Sequence, residues 1–183
     1  MLTSLLIVLP IVGALVVWTA PLPREATAAL AIVVAVAEVV VWIVTLVRFD
    51  FDSPVLQEST QRPWFGDLGV SYHVGFYGFS LWLAGLTIVV GAAAIGFGAW
   101  VGRDRARAYF GLMLFLIGAV VGVFASQDLL LFYVFFEAML IPIYVLVGVW
   151  GGPQRVKATV TFVIYTMVGS LLMLASIVAF GIS

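Results

Sequence analysis

An all-α integral membrane fold of about six transmembrane helices follows from three features of the sequence. Of 183 residues, 64% are hydrophobic and only 9% charged, with a mean hydropathy of +1.25, whereas soluble domains carry about 25% charge. The apolar residues fall in runs long enough to cross ~30 Å of hydrocarbon at ~1.5 Å per residue. Nearly all charges sit in the short segments between those runs. A water-soluble enzyme is excluded by this pattern. A formal net charge of −1 and the lack of a basic face exclude nucleic acid as a partner. Cysteine is absent and there is one histidine, so disulfides and thiolate sites are excluded and no metal site is expected.

The first span runs from Leu2 to about Ala20 and is stopped by Pro21 and Pro23, with Thr27 expected to help start the next. It has no basic leader segment and reads as a retained helix, not a cleaved signal. The second span covers Ala26 to Val47. Arg48 to Gly69 is polar and rich in acids and reads as an external loop, with Trp64 and Phe65 in an interfacial turn. The third span is expected from near Ser71 to about Trp100, long enough to tilt. The fourth covers Ala108 to Ala125, the fifth lies within Asp128 to Gly152, and the sixth covers Ala158 to Phe180. Two units result: 1–107 with three helices and the acidic loop at 48–69, and 108–183 with three more.

Only Ser126, Gln127 and Asp128 separate spans four and five, so these helices form an antiparallel hairpin. Ser126 is a candidate cap, and Asp128 favours the positive end of the helix it opens. Gly118 and Gly122 in span four, and Ala92/Gly96 with Ala94/Gly98 in span three, are small-residue pairs suited to close packing.

Basic residues set the orientation. Arg24, Arg103, Arg105, Arg107, Arg155 and Lys157 fall in loops on one side. Arg48 and Arg62 fall on the other, with Asp50, Asp52, Glu58 and Asp67. The positive-inside rule assigns the first set to the cytoplasm and both termini to the outside.

Against this apolar background a few polar residues stand out. Glu137 lies about nine residues into span five, hence ~13 Å deep, where an ionised group costs roughly 3 kcal/mol or more. Such acids face a bundle interior or a water path. Pro142 removes the amide that would bond the Ala138 carbonyl, loosening the helix just after the acid. Positions 133, 137, 140, 141 and 144 share one stripe, so the Tyr133 and Tyr144 hydroxyls are candidates to hydrogen-bond the acid. The alternative is a protonated glutamate tied to a neighbouring helix; for a proton carrier the two readings merge. Glu38 is the other acid inside a span and needs a partner helix, water or a proton. His73 reads as an interfacial residue at the outer end of span three. No arginine or lysine lies well inside a span to pair with Glu137.

The run LLLFYVFFEAMLIPIYVLVGVWGG, followed by FVIYTMVGSLLML from Phe162 to Leu174, closely resembles chain 4, or subunit M, of proton-pumping NADH:quinone oxidoreductase, respiratory complex I. YHVGFYGFSL, Tyr72 to Leu81, is similar to the opening of that family's third helix. The resemblance implies the first six of about fourteen helices, with residues 108–183 starting a proton-translocating, antiporter-like repeat. It implies that Glu137 matches a fifth-helix glutamate used in proton translocation, whose lysine partner lies on a seventh helix beyond this chain. It further implies a bacterial or archaeal plasma membrane and other complex I membrane subunits as partners. No cofactor is expected in this chain, since flavin and iron–sulfur clusters belong to other subunits, and no catalysis is expected from it alone. Two positions depart from the family pattern: Tyr77 stands where an aspartate is usual, and Thr161 where many members have lysine. A subunit of a sodium/proton antiporter, or a truncated scaffold without activity, are the alternative readings.

Overall fold

A computed structural model describes residues 1–65 and 70–182. Six helices long and apolar enough to span a membrane are present among them: α1 (Leu2–Thr19), α2 (Arg24–Arg48), α3 (Gly78–Val101), α4 (Ala106–Ala125), α5 (Leu129–Trp150) and α6 (Arg155–Ile182). Their ends follow local chemistry. α1 stops one residue before an extended Ala20, and Pro23 opens α2, whose first turn carries Glu25 and whose last carries Arg48, both complementing the helix dipole. Thr27 does not cap α2; its hydroxyl donates back to the Pro23 carbonyl at 3.0 Å from within the first turn.

The largest departure from the sequence reading lies between α2 and α3. The chain forms an antiparallel hairpin there, β1 (Gln57–Phe65) and β2 (Val70–Phe76), with Arg62 opposite Tyr72 and Gln57 opposite Phe76. The third span accordingly starts at Gly78 and not near Ser71. In VSYHVGF the larger apolar residues recur at every second position, which suits a pleated strand, and Val74 and Phe76 are fully buried. A bulge interrupts the ladder after Gln57, where Glu58 takes a left-handed φ of 50°. Its carboxylate meets the terminal amine of Met1 at 3.4 Å, and its carbonyl accepts from the Thr3 hydroxyl at 2.8 Å. Residues 64 and 65 are strand in their backbone; the expected interfacial seating of the Trp64 and Phe65 side chains, and Asp67 and Gly69, lie outside the described residues.

α4 is the hub of the bundle, packing against α1, α2, α3 and α5, while α6 packs against α5 at the edge. Leu6, Val17, Ile88, Ile95, Phe110 and Leu114 are buried in the resulting core. The glycines of α4 serve two different interfaces. A Cβ at Gly118 would come within 3.0 Å of the Ile7 carbonyl oxygen of α1, whereas Gly122 is filled by the Phe135 ring of α5. Gly98 of α3 receives the Tyr109 ring of α4, but Gly96 faces open space, so only one of the two small pairs in α3 ends in a close contact.

The two ends of the bundle are chemically distinct. The hairpin, Met1 and the start of α5 gather at one end, with Trp42, Phe49, Phe51 and Trp82 clustered beside them. At the other end the basic loops converge: Arg107 donates to the Leu22 carbonyl at 3.0 Å, and the Trp150 indole to the Asp104 carbonyl at 3.2 Å. Aromatic rings near both ends match the belts that membrane interfaces favour.

Gly118→Ala therefore lowers the melting temperature of the purified protein in detergent, at a cost of about 1–3 kcal/mol from overpacking against the α1 backbone. Gly96→Ala, with open space to fill, leaves it unchanged or higher. Equal effects of the two would contradict this packing.

Candidate functional site

The site is built from the start of α5. Asp128 is its N-cap: Oδ1 accepts from the amides of Leu130 at 2.9 Å and Leu131 at 3.2 Å. Oδ2 of the same carboxylate accepts from the Ser71 amide of β2 at 3.1 Å. Ser126, expected as a cap for α5, instead closes α4, donating to the Gly122 carbonyl at 2.7 Å. It also forms a β-bridge with Val74, and the Gln127 amide donates to the His73 carbonyl at 2.9 Å. The turn between α4 and α5 thus lies against β2, held by a single bridge and the Gln127 bond.

From this anchor α5 runs unbroken through Pro142, which is buried within it. Glu137 comes to a cleft of ≈ 290 Å³ between α5 and α6, lined also by Leu140, Ile141 and Tyr144 of its own stripe and by Thr166 and Met167 of α6. Its Oε1 is buried without a hydrogen-bond partner. Tyr133, one turn earlier, has its side chain near both the Glu137 carboxyl and the Ser170 hydroxyl of α6. Tyr144 shares the cleft but is 47% exposed, and no hydrogen bond joins it to the acid among the described residues. The structure therefore unites Glu137 and Tyr133, leaves Tyr144 at the cleft mouth, and sets Pro142 into the helix wall behind.

Ser170 and Thr166 were not singled out by the sequence reading. Their signal was a threonine and a serine four apart in the middle of a mostly apolar helix, placing them on one face. Thr166 already donates to the Phe162 carbonyl at 2.8 Å, and Ser170 to that of Met167 at 3.2 Å, so each hydroxyl keeps acceptor capacity, Thr166 in the cleft lining and Ser170 beside Tyr133.

Glu38 is placed differently. It is 1% exposed, and neither carboxyl oxygen has a hydrogen-bond partner. α2 packs against α1, α3 and α4, and the spans of α1 and α3 carry no ionisable side chain. Those of α4 are Arg107 and Tyr109, at its basic end. Counting from the hairpin end, Glu38 and Glu137 lie at similar depths of ~15 Å and ~13 Å, but Glu38 opens onto no cleft among those found. His73 sits on β2, not on a transmembrane helix, with Nε2 3.2 Å from the Ser59 hydroxyl. Tyr77, where the resemblance implies an aspartate, is the N-cap of α3, and the Ser80 hydroxyl reaches back to accept from its amide at 3.0 Å. Thr161 is exposed on α6, one turn after Lys157, and both line a surface cleft. Among the described residues no group of three or more histidine, cysteine, aspartate or glutamate side chains is arranged to hold a metal.

Comparison with known proteins gives these features a context. Residues 126–182, which include Asp128, Glu137 and Ser170, match the family described as NADH:quinone oxidoreductase/Mrp antiporter, TM. NAD(P)H-quinone oxidoreductase chain 4 of Gloeobacter violaceus is 35% identical over 173 residues, 93% of this chain and 32% of that relative. Respiratory complex I from Thermus thermophilus, solved with bound NADH, contains a subunit that superposes with a TM-score of 0.75 at 34% identity, over 96% of this chain and 34% of that one. The chain resembles a complex I membrane subunit. Subunit M, or chain 4, is the relative in question, and the chain spans about a quarter to a third of the length of the curated relatives it matches. The Mrp complex of a Dietzia species superposes equally well, with a TM-score of 0.77, but at 16% identity it speaks to the fold alone. Like the subunit M relatives, this is a multi-pass membrane chain.

Glu38→Leu replaces a partnerless carboxyl with an apolar side chain of similar size, so it leaves the melting temperature unchanged or raises it. A clear loss of stability would mean that the carboxyl has a partner that this packing lacks.

Proposed function

We propose that this chain forms the amino-terminal six helices of a subunit M-type membrane-arm component of an NADH:quinone oxidoreductase, taking part in proton translocation coupled to electron transfer from NADH to quinone. The observation that carries the proposal is the buried, partnerless Oε1 of Glu137, held at mid-span beside a cleft to which Thr166 of α6 contributes its hydroxyl-bearing side chain. In this reading Glu137 is a reversible proton site. A cation brought near it favours the carboxylate, and withdrawing the cation lets the acid take up a proton. Within the chain Lys157 is the single lysine and lies at the basic end of α6, so the partner is assigned to a later helix, as the resemblance implies. Tyr133 links the acid towards Ser170, Tyr144 guards the cleft mouth, and Pro142 supplies local compliance.

The division of the sequence into 1–107 and 108–183, the second beginning the antiporter-like repeat, is part of this reading and rests on the resemblance, since α4 packs among α1, α2 and α3. The partners would be the other membrane subunits of the complex, the lipid bilayer and the helices carrying the lysine. Flavin and iron–sulfur chemistry would reside in other subunits, leaving none here and no independent catalysis. The location is a bacterial or archaeal plasma membrane, with the basic loops cytoplasmic and both termini outside. Sodium/proton antiport is the second reading, supported by a family description that names both systems; sodium-dependent proton movement in vesicles would favour it.

Glu137→Gln in the assembled complex is expected to reduce proton pumping sharply while assembly and NADH oxidation by the other subunits persist. An unchanged proton-to-electron stoichiometry would sink the assignment. Tyr133→Phe removes one hydroxyl beside the acid and is expected to slow pumping about five-fold, the rate equivalent of ~1 kcal/mol.

A further inference from the structure

The basic end of the bundle contains an arrangement that proton transfer at Glu137 does not use. A cavity of ≈ 690 Å³ opens between the α1–α2 turn and the end of α3, with Arg24, Glu25, Gly102 and Arg103 in its lining. A second, of ≈ 370 Å³, adjoins it and is lined by Arg24, Arg105 and Arg107. Arg24 lines both, so four arginines from the α1–α2 and α3–α4 connections border two neighbouring cavities.

These side chains are positioned by the backbone more than by acids. Arg107 donates through Nε and a terminal nitrogen to the Leu22 carbonyl, at 3.3 and 3.0 Å. Arg103 lies over the Tyr109 ring, 5.6 Å from its centroid, and its Nε is buried without an acceptor. Gly102 takes a left-handed φ of 73°, and the Arg24 guanidinium occupies the space that a Cβ would fill there. Glu25 lines the larger cavity and Asp104 is in the adjoining loop, yet none of the four arginines forms an ion pair among the described residues. The region holds a surplus of fixed donors, one of them desolvated and unspent, which is a deficit of acceptors.

The arginine fork matches the oxygens of a phosphate group and takes two of them at once. The surroundings select the source of that phosphate. Ala28, Ala99, Trp100 and Phe110 continue the lining of the larger cavity as an apolar wall, and Trp100 is 84% exposed at the end of α3, where an interfacial ring belongs. A free phosphate has no use for that wall, whereas the glycerol and upper acyl region of a lipid does. Basic pockets between transmembrane helices are suited to anionic headgroups. We propose that the cleft formed by Arg24, Arg103, Arg105 and Arg107 binds the phosphate headgroup of an anionic phospholipid, bridging the α1–α2 and α3–α4 loops.

The test uses the full chain in mixed micelles with phosphatidylglycerol or phosphatidylcholine, with lipid retention read by native mass spectrometry. Phosphatidylglycerol is expected to be retained several-fold better than phosphatidylcholine. The R24Q/R103Q variant should lose that preference, R24K/R103K should keep part of it, and R48Q at the opposite end should leave it intact. Equal retention of the two lipids, an unaltered preference in R24Q/R103Q, or an equal loss in R48Q would overturn the proposal. Displacement of phosphatidylglycerol by inorganic phosphate would overturn it in favour of a free-anion site. Should R24Q/R103Q fail to fold, the exposed Arg105→Gln carries the test, and a retained preference there would count against the site.

Discussion

The Asp128 carboxylate holds together parts of the molecule that are far apart in sequence. One oxygen satisfies two amides at the start of α5, and the other takes the amide of Ser71 from the β1–β2 hairpin. Unsatisfied backbone groups are costly near a membrane, and here one side chain serves three of them. The depth of every later residue in α5 is counted from this point. The neighbouring β-bridge between Val74 and Ser126, and the bond from Gln127 to His73, fasten the same turn from its other side. The hairpin is thus a clip across one end of the bundle, joining α1 through Glu58 to α4 and α5 through the turn.

Beneath that clip the six helices divide by burial. α4 lies among α1, α2 and α3, and this part contains nearly all of the fully buried side chains. α5 and α6 present most of their surface outward. The two intramembrane acids fall on either side of this division at nearly equal depth. Glu38 is enclosed by packed helices with no hydrogen-bond partner, whereas Glu137 borders a cleft. Charge alone does not separate these two residues. Access does.

Much of this was readable in the amino acids. The six spans, the clustering of basic loops at one end and the stripe bearing Glu137 follow from apolar run length, charge placement and helical periodicity, and the structure has all three. The hairpin was missed because the alternation in VSYHVGF is directly followed by the apolar run of α3, so that strand and helix fuse into one hydrophobic segment. Asp128 was legible as the residue that opens α5, but the place of Ser126 at the end of α4 was not: both are good caps, and the contact of β2 with the turn decides between them. Ser170 escaped notice because a hydroxyl in a membrane helix usually bonds its own backbone, and its approach to Tyr133 depends on how α6 packs.

Pro142 gives α5 an uneven stiffness along its length. The half near the hairpin is pinned by the Asp128 cap and by Phe135 seated in the Gly122 gap. The half near the basic loops lacks the rung from residue 142 to the Ala138 carbonyl and ends beside the loop carrying Asp104. Bending of α5 is therefore easiest at the missing rung, just past Glu137. The depth of that acid is set by the pinned half, and the freedom of the wall beside it by the other.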